Sequence, residues 1–431
     1  MKLRVEKMIY GGAGLARVDG KAVFVPFALP GETVEARVSE EKRGYATAGI
    51  ETVTEPSAAR VAPPCPYFGA CGGCQYQHAN YAAQVEMKTA ILRETLERAR
   101  IREIPEIAAV TSEPFGYRNR VRLHVQRDPF ALCYKRRNSN VNLPVAECPI
   151  AAPVLERAMA ALHREGDALA LAEWTRSIEL FANEDESALL VAFWTERDAD
   201  DAKRALTQIW PKLLGLLPEA VGAGVFLVER GQRAIRLVGH VGEESLRYRV
   251  GGHEYRVSLG SFFQASRFAL EALVQLAVGG ESGRRAWDLY AGVGLFSVPL
   301  AETFDEVTAV EVAASSVRDL RENLRGAGPE RRHRVVAAET ATFLRQAVER
   351  RETAPDLVVV DPPRDGLGAA VTSFLGKLRP PRITYVSCDP ATLSRDLAAL
   401  LESGYRLAAL QLVDLFPQTF HLESVAHLTL G

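Results

Sequence analysis

Regular alternation of short apolar strands with helices is the feature that most constrains the fold, and it occupies the chain from about residue 255 onward. Strands separated by helices form parallel sheets that are covered on both faces. The C-terminal part is therefore predicted to be a doubly wound, mostly parallel α/β sheet. The runs that predict its strands are RAWDLYAG, EVTAVEV, HRVVAA, PDLVVVDPP, RITYVSC and YRLAALQLVDLF.

The first of these strands ends in a glycine-rich turn that opens a helix, in WDLYAGVGLFSVPLA. Such a turn lets the backbone approach a nucleotide-like ligand, but GVG lacks the third glycine of the dinucleotide fingerprint. Asp288 precedes the turn, and Glu311 ends the next strand, where it could bind the two hydroxyls of a ribose. This combination favours S-adenosylmethionine over a nicotinamide cofactor; the alternative is a purely structural turn.

A second strand end carries Asp361-Pro362-Pro363-Arg364, in PDLVVVDPPRDGLG. Proline fixes φ and stiffens the loop, so the polar side chains are predicted to project into the same crevice. Related Asp-Pro-Pro and Asn-Pro-Pro motifs occur in methyltransferases that act on base nitrogens. The motif therefore favours base modification without naming the atom.

Cys388 is remote from the other five cysteines, which all precede residue 150. It ends the strand RITYVSC and adjoins a predicted helix start, where the helix dipole would lower the pKa of a thiol. Thr392 and Ser394 are the predicted caps of that helix. A buried structural cysteine is the alternative. Downstream, in FPQTFHLESV, Glu423 is the candidate base and His421 its support, although either could be an ordinary satisfied polar group.

The N-terminal 55 residues alternate like short strands between the turns GGAG, VDGK and LPGE, which predicts a small β-barrel of about five strands. A proline-rich hinge follows, and then YAAQVEMKTAILRETLERAR has the apolar spacing of a helix. From about 115 to 250 the pattern mixes strands and helices. These shifts predict three domains, at residues 1–58, 59–250 and 251–431.

Cys65, Cys71 and Cys74 form a C-x5-C-x2-C pattern, and Cys133 and Cys148 follow. In a reducing cytosol, clustered cysteines bind metal more often than they form disulfides. Zinc is usually held by paired knuckles, which this asymmetric trio does not supply. An iron–sulfur cluster, which needs four thiolates, is favoured over zinc. Cys133 has apolar neighbours in FALCYK and is predicted to be a core residue.

A basic segment lies between residues 115 and 140, with Asp128 as its one acid, although the whole chain has a formal net charge of −2. It predicts a local surface for single-stranded RNA loops, because basic groups contact phosphates and rings stack on splayed bases. A solvated basic hairpin is the alternative. The side chains are Arg118, Arg120, Arg122, Arg127, Lys135, Arg136 and Arg137, interleaved with Tyr117, His124 and Tyr134.

The first residues, MKLRVEKMIYGGAG, lack the apolar core of a signal peptide, and no run of 18 apolar residues occurs in the chain. A cytoplasmic protein without a membrane span is therefore expected. Nothing in the sequence indicates an obligate protein partner, so a monomer is expected.

Five motifs, taken in order, resemble those of the RNA uridine-5 methyltransferase family, and the resemblance spans nearly the whole chain: SFFQAS, DLYAGVGLFS, VVVDPPRDGL, YVSCDPATLSRD and FPQTFHLESV. The N-terminal barrel resembles a TRAM domain, the small RNA-binding barrel of the bacterial 23S rRNA members. The resemblance implies a C-terminal Rossmann-like methyltransferase domain, an N-terminal TRAM barrel and a central α+β domain that carries an iron–sulfur cluster.

The resemblance also implies a mechanism and a set of site residues. A Cys388 thiolate adds to carbon-6 of a flipped uracil, and Glu423 removes the carbon-5 proton after the methyl transfer. Cys148 is implied as the fourth ligand of a [4Fe–4S] cluster. Some relatives carry asparagine where this chain has Leu295, so that cofactor contact is not carried over. The positions that match S-adenosylmethionine contacts are Gln264, Tyr290, Glu311 and Asp361.

Several substrates and classes stay open. A uridine in 23S rRNA is favoured over the T-loop uridine of tRNA, because the bacterial tRNA enzymes of this family generally lack both the TRAM barrel and the cluster. A cytosine-5 methyltransferase would show Pro-Cys where this chain has Ser387-Cys388. A non-catalytic iron–sulfur RNA-binding protein would have lost part of the catalytic set, yet Cys388 and Glu423 are both present.

Overall fold

The structure is a computed structural model, and it describes residues 1–228, 235–327 and 332–431. These residues form four sheets, of six, seven, two and eight strands. Within the described ranges, no helix is both long and apolar enough to cross a bilayer.

The N-terminal sheet has six strands in the order β1-β5-β6-β4-β3-β2, one more than the sequence predicted. The additional strand, β2, is only two residues long. Every pair is antiparallel except β4 with β6, and alternate residues such as Val34, Ala36 and Val25 point into a small closed core. The strands are β1 (Lys2–Arg4), β2 (Lys7–Met8), β3 (Ala13–Val18), β4 (Lys21–Pro26), β5 (Thr33–Glu41) and β6 (Tyr45–Glu55).

The predicted helix after the proline-rich hinge is confirmed as α1 (Tyr81–Arg98). Asn80 caps it, because its Oδ1 accepts a hydrogen bond of 2.9 Å from the N–H of Ala83. The next strand, β7 (Ile107–Val110), leaves this region and pairs with the edge of the C-terminal sheet. The domain limits at 58 and 250 stay predictions, but α1 and β7, which lie between them, are part of the C-terminal layers.

The central sheet has seven strands in the order β10-β9-β8-β11-β12-β13-β14. Its strand β12 is buried on both faces, so its side chains alternate between two cores. The elements are β8 (Arg120–Gln126), β9 (Ala131–Lys135), β10 (Asn142–Pro144), α2 (Pro153–Glu165), α3 (Leu171–Trp174), β11 (Ser177–Ala182), β12 (Leu189–Thr195), α4 (Ala199–Leu216), β13 (Ala220–Val228) and β14 (Ile235–Gly242).

One face of the central sheet packs on helices α2 and α4, and the other faces a two-stranded hairpin of β15 (Ser245–Val250) and β16 (His253–Ser258). Trp194 and Phe226 from the sheet share a core with Tyr248 and Tyr255 of the hairpin. That core continues into the C-terminal domain without a break. The central and C-terminal parts are therefore joined by apolar packing.

The C-terminal sheet confirms the predicted doubly wound, mostly parallel α/β architecture, in the order β19-β18-β17-β20-β21-β23-β22-β7. The pairs from β19 to β21 are parallel, and β23 runs antiparallel to both neighbours. The elements are α5 (Leu270–Val278), β17 (Gly283–Leu289), α6 (Ser297–Thr303), β18 (Phe304–Glu311), α7 (Ala314–Arg325), β19 (Arg332–Ala337), α8 (Thr340–Glu349), β20 (Leu357–Val360), α9 (Gly368–Leu378), β21 (Arg382–Ser387), α10 (Pro390–Glu402), β22 (Tyr405–Val413) and β23 (Glu423–Leu430).

Helices cover both faces of this sheet, and the strand residues sort accordingly. In β20, Leu357 and Val359 belong to the core under α5, α6 and α7, whereas Val358 and Val360 belong to the core under α1, α8, α9 and α10. A continuous apolar run is what a strand buried on both faces requires. The polar side chains that follow β17, β18, β20 and β21 therefore meet at one edge, the carboxyl end of the sheet.

Candidate active site and cysteine cavity

Cys388 and Glu423 meet across neighbouring strands. Ser387, the last residue of β21, pairs with Ser424 in the antiparallel β21–β23 ladder, so the next positions outward are Cys388 and Glu423. The Ser424 hydroxyl donates to the Ser387 carbonyl at 3.2 Å and fixes this register. Two residues that lie 35 positions apart in the sequence are thus placed face to face at the carboxyl edge of the sheet.

The Cys388 thiol is protonated in the ligand-free protein. Burial first, and then the charges of Glu423, Asp361 and Asp389, raise its pKa to about 12, although Arg364 acts to lower it. The expectation that the helix terminus lowers this pKa is therefore wrong in the ligand-free state. Burial, and then the nearby carboxylates, raise the thiol pKa despite the adjacent helix terminus.

The start of helix α10 is capped by Asp389, not by the predicted Thr392 and Ser394. The Asp389 carboxylate accepts from the N–H groups of Ala391 at 3.0 Å and Thr392 at 2.9 Å. The Ser394 hydroxyl donates to the Ala391 carbonyl instead. Because the capping charge is negative, it works against a thiolate at Cys388.

Glu423 is 2 % exposed, and its Oε1 has no hydrogen-bond partner in the described part of the chain. Burial, and then the charge of Asp361, hold the pKa of Glu423 well above its usual range. An unpaired, buried carboxyl group is costly, and such groups occur where a proton is taken up or released. The arrangement suits a general base that faces a substrate.

His421 belongs to an aromatic group and not to the proton-transfer pair. Its ring lies 4.3 Å from that of Phe420 and 6.0 Å from that of Phe416, measured between centroids. Burial and the nearby Arg364 lower the pKa of His421 to about 4, so the ring is neutral. Its predicted supporting role remains a prediction.

A cavity of about 380 Å³ lies beside the glycine turn, at the carboxyl ends of β17, β18 and β19. Two of the predicted cofactor residues, Tyr290 and Glu311, line it, together with Glu339 and Thr340, where the family's later cofactor contact aligns too loosely to be carried over from the sequence. Their position agrees with the topology, since both lie just after β19 of the parallel sheet. The Glu311 carboxylate accepts from Gly292 N at 2.9 Å and from Ala313 N at 2.7 Å, so it is fixed at the cavity wall.

The other two predicted cofactor residues are placed differently. Asp361 follows β20, and burial together with the charge of Asp288 raises its pKa to about 7. Gln264 lies between β16 and α5, outside the lining of this cavity, and its carbonyl accepts from Asn119 Nδ2 at 3.1 Å. Leu295 is buried in the apolar core, and its carbonyl accepts from the Tyr255 hydroxyl at 3.0 Å. A polar cofactor contact from that side chain is thereby excluded.

Four cysteines line one cavity of about 370 Å³ between the hinge segment and the central sheet: Cys65, Cys71, Cys74 and Cys148. Cys133 is fully buried on β9 outside this lining, which confirms its prediction as a core residue. Glycines allow close approach here, since Gly73 N donates to Cys71 Sγ at 3.4 Å. Arg118 also lines the cavity, and its Nε has no hydrogen-bond partner among the described atoms.

Within the described residues, no three His, Cys, Asp or Glu side chains converge tightly enough to hold a single metal ion. The predicted metal site is therefore not shown. A cluster of several irons, however, separates its sulfur ligands by its own width, and the cavity provides that space between four thiols. The four thiols, the space between them and the unpaired Arg118 Nε fit an anionic iron–sulfur cluster better than a single zinc ion.

The basic segment is only partly open: Arg122, Arg127 and Arg136 are exposed, whereas other members pack into the fold, and its role as an RNA surface stays a prediction. Tyr117 is fully buried and donates to the Pro417 carbonyl at 3.0 Å. The Arg120 guanidinium stacks 3.9 Å from the centre of the Phe181 ring, and that of Arg122 lies 3.9 Å from the Trp194 ring. These side chains stabilise the junction between the central sheet and the hairpin through cation–π contacts.

Comparisons with known proteins agree with this geometry. The profile of the tRNA (uracil-5-)-methyltransferase family matches residues 80–430, and that of the TRAM domain matches residues 1–50. An uncharacterized RNA methyltransferase of Aquifex aeolicus is 36% identical over 431 residues, covering 99% of this chain and 97% of the relative. The 23S rRNA (uracil(1939)-C(5))-methyltransferase RlmD of Halomonas elongata is 33% identical, covering 98% of this chain and 88% of the relative.

A solved structure shares the whole fold. The crystal structure of Pyrococcus abyssi tRNA (uracil-54, C5)-methyltransferase, in complex with S-adenosyl-L-homocysteine, matches with a TM-score of 0.77 at 24% identity and covers 99% of both chains. The present chain therefore belongs to the tRNA (uracil-5-)-methyltransferase family and is an S-adenosylmethionine-dependent RNA uracil-5-methyltransferase with an N-terminal TRAM domain.

Proposed function

We propose that this chain methylates carbon-5 of a uridine in 23S rRNA through a covalent Cys388 adduct, with Glu423 as the base. The observation that carries the proposal is the placement of Cys388 opposite Glu423 at the sheet edge that also holds the Tyr290–Glu311 cavity. A nucleophile, a base and a cofactor cavity at one edge are what this reaction needs.

Cys388 and Glu423 carry out different steps of the reaction. Carbon-5 of uracil is too weak a nucleophile to be methylated unaided, so the Cys388 thiolate first adds to carbon-6, and the electron pair of the carbon-5–carbon-6 double bond moves into an enolate. S-adenosylmethionine, when bound, supplies the electrophilic methyl group that carbon-5 takes. Glu423 then accepts the carbon-5 proton, the Cys388–carbon-6 bond breaks, and the double bond and the thiolate are restored.

The cofactor would be held by residues in or near the cavity beside the glycine turn. Glu311 is placed to accept hydrogen bonds from a ribose, and Tyr290 forms the adjacent wall. Asp361 follows β20, which lies between β17 at the cavity and β21, the strand that leads to Cys388. Burial and the charge of Asp288 raise the pKa of Asp361. Gln264 is proposed as a contact from the family motif alone.

Relatives support rRNA as the substrate, because RlmD proteins named for uracil 1939 of 23S rRNA match the chain over nearly its full length. The domain order does not separate the two substrates, since a tRNA enzyme shares the fold over 99% of both chains. The T-loop uridine of tRNA is therefore the second candidate. An RNA substrate also agrees with the expected cytoplasmic location.

We further propose that a [4Fe–4S] cluster is bound by Cys65, Cys71, Cys74 and Cys148 and thereby links the hinge segment to the central sheet. Their shared cavity and the unpaired Arg118 Nε support this. Methyl transfer consumes no electrons, so the cluster has a structural role here.

Methyl transfer to defined transcripts tests the proposal. The purified protein with S-adenosylmethionine is expected to form 5-methyluridine in a 23S rRNA fragment and at least about tenfold less in a tRNA transcript. Cys388→Ala should abolish transfer and keep RNA affinity, whereas Cys133→Ala, a change at a buried cysteine far from the site, should keep both. Methylation of tRNA alone would favour the second candidate, and 5-methyluridine in neither RNA would refute the proposal.

A further inference from the structure

A turn of the N-terminal barrel reaches the catalytic loop. Gly11 and Gly12, between β2 and β3, have φ values of +100° and +88°, which side chains other than glycine rarely adopt. A Cβ on Gly12 would lie 2.8 Å from Gln75 Cβ and 3.5 Å from Phe420 Cβ. The turn is therefore packed directly against the segment that leads into Glu423.

Tyr10 lies at the tip of this turn. Its ring meets the Phe420 ring edge to face, with centroids 5.4 Å apart and planes at 84°. Phe420 is in turn 4.3 Å from His421, two residues before Glu423 in the sequence. Edge-to-face aromatic pairs contribute about 0.5–1.5 kcal/mol beyond burial, so the contact orders the loop before the base.

The Tyr10 hydroxyl lies near the nucleophile. Asp389, Arg364 and Cys388 are all close enough to act on it electrostatically. Burial first, and then Asp389, raise the pKa of Tyr10, so the hydroxyl stays a donor at neutral pH. Asp389 directly follows the nucleophile and caps helix α10.

The segment that follows Cys74 also contacts both the barrel turn and the loop before Glu423. Gln75, which follows Cys74 of the cysteine cavity, accepts from Phe420 N at 3.3 Å, and its own N–H donates to the Gln418 carbonyl at 2.9 Å. The barrel turn is thus sandwiched between the cysteine segment and the catalytic loop. Tyr10 is the barrel side chain that contacts the neighbours of both Cys388 and Glu423.

We propose that Tyr10 is a positioning residue for methyl transfer, so that the TRAM domain completes the catalytic centre in addition to binding RNA. Its ring packs against Phe420 and its hydroxyl lies near Asp389, so it bridges the loop before the base and the residue after the nucleophile. Displacements of about 1 Å at an active site can cost about 10²-fold in rate. The inference rests on the proposed Cys388–Glu423 chemistry.

Tyr45 provides a matched control in the same domain. Like Tyr10, it is half-buried, and its ring lies 5.4 Å from a phenylalanine, Phe24, but on strands β4 and β6 and not at the β2–β3 turn. Tyr10→Ala and Tyr45→Ala therefore remove equivalent aromatic contacts from one barrel. Only the first removes a contact to the catalytic loop.

The test measures single-turnover methylation of a 23S rRNA fragment at saturating RNA, together with the Kd for that RNA and the unfolding midpoint. Tyr10→Ala should slow the saturated rate at least about tenfold with Kd changed less than about threefold, and Tyr10→Phe, which keeps the ring, should fall between. Tyr45→Ala should leave the rate unchanged. A normal saturated rate with weakened RNA binding in Tyr10→Ala, or equal losses in Tyr10→Ala and Tyr45→Ala, would overturn the inference. An inactive wild type would overturn the proposed function itself.

Discussion

Lys88 and Asp414 form an ion pair with no exposed side-chain surface, and Lys88 Nζ lies 2.6 Å from Asp414 Oδ1. The same ammonium group donates to the Phe416 carbonyl at 2.9 Å. Helix α1 is thereby tied to the start of the segment that leads from β22 to Glu423. Gln84, one turn before Lys88 on the same helix, makes two more bonds to this segment. Its Oε1 accepts from the Gln418 backbone N–H at 2.9 Å, and its Nε2 donates to Gln418 Oε1 at 3.0 Å.

Lys88→Met is expected to lower the free energy of unfolding by about 3–5 kcal/mol, because it leaves the Asp414 carboxylate buried and unpaired. Urea unfolding measures the change. Lys88→Met with Asp414→Asn should recover part of it, and Lys21→Met, at an exposed ion pair with Glu41, should leave the midpoint unchanged. If Lys88→Met and Lys21→Met behaved alike, the buried pair would not be stabilising.

Asp288 makes stability depend on pH. Burial raises its pKa from 3.8 to about 7, so between those values the folded protein keeps a proton that the unfolded chain releases. Stability from this group is therefore present at low pH and lost as the pH rises towards 7, by up to about 4 kcal/mol. Asp288→Asn, which keeps an oxygen acceptor for Ser297, should reduce this slope in unfolding experiments between pH 4.5 and 7.5, and Asp361, whose pKa is also raised to about 7, contributes to what remains.

Asp356 serves as a control that should add no slope between pH 4.5 and 7.5. Its pKa is lowered, mainly by the hydrogen bond from Arg285 N, so its stabilisation is present at neutral pH and lost in acid. Asp356→Asn should destabilise the protein most at neutral pH. A wild-type slope in Asp288→Asn would show that the Asp288 carboxyl titrates normally.

Cys388 alkylation should respond to the charges around it. Because burial and then Glu423 and Asp361 raise the thiol pKa, Glu423→Gln and Asp361→Asn are each expected to speed alkylation at pH 8 in the RNA-free protein. Arg364→Gln should slow it, since Arg364 lowers that pKa. Peptide mass spectrometry after timed iodoacetamide treatment gives the rates. Slower labelling in Glu423→Gln would contradict this electrostatic description.

The cysteine cavity predicts which thiols hold iron. Cys74→Ser should lose bound iron and visible absorbance, as it removes one of four ligands. Cys133→Ser should keep both, because Cys133 lies outside the cavity. Iron analysis of the anaerobically purified variants measures how much iron each one binds. Equal iron loss in the two variants, or zinc in place of iron in the wild type, would refute the cluster.

Much of the fold was predictable, because it follows from local patterns. Alternation of strands and helices predicted the parallel sheet, and the strand ends predicted where Glu311, Asp361 and Cys388 gather. The polar residues in the apolar tail suggested Glu423 as a candidate base for Cys388, and the family motifs implied the same pair. Its physical basis is the β21–β23 register, which no local pattern encodes.

The departures from the sequence expectations have a common origin in long-range packing. The basic segment predicted an open RNA surface and is only partly open: Arg120 and Arg122 meet the aromatic rings of Phe181 and Trp194, which lie more than 55 positions away in sequence. The thiol pKa was predicted to fall because only the helix terminus was visible in the sequence. Burial, together with carboxylates from two other segments and from the adjoining Asp389, reverses it. Tyr10 carried no sequence signal for a place beside the catalytic loop.

The covalent step is tested most directly with RNA that contains 5-fluorouridine at the target position. Fluorine at carbon-5 leaves no proton for Glu423 to remove, so the Cys388 adduct should accumulate after methyl transfer. Intact mass measurement should find the wild-type protein joined to one methylated RNA, with the link mapped to the peptide that contains Cys388. Cys388→Ser should form none, and Cys133→Ser should react like the wild type. An adduct on another residue, or methyl transfer by Cys388→Ser at the wild-type rate, would contradict the mechanism.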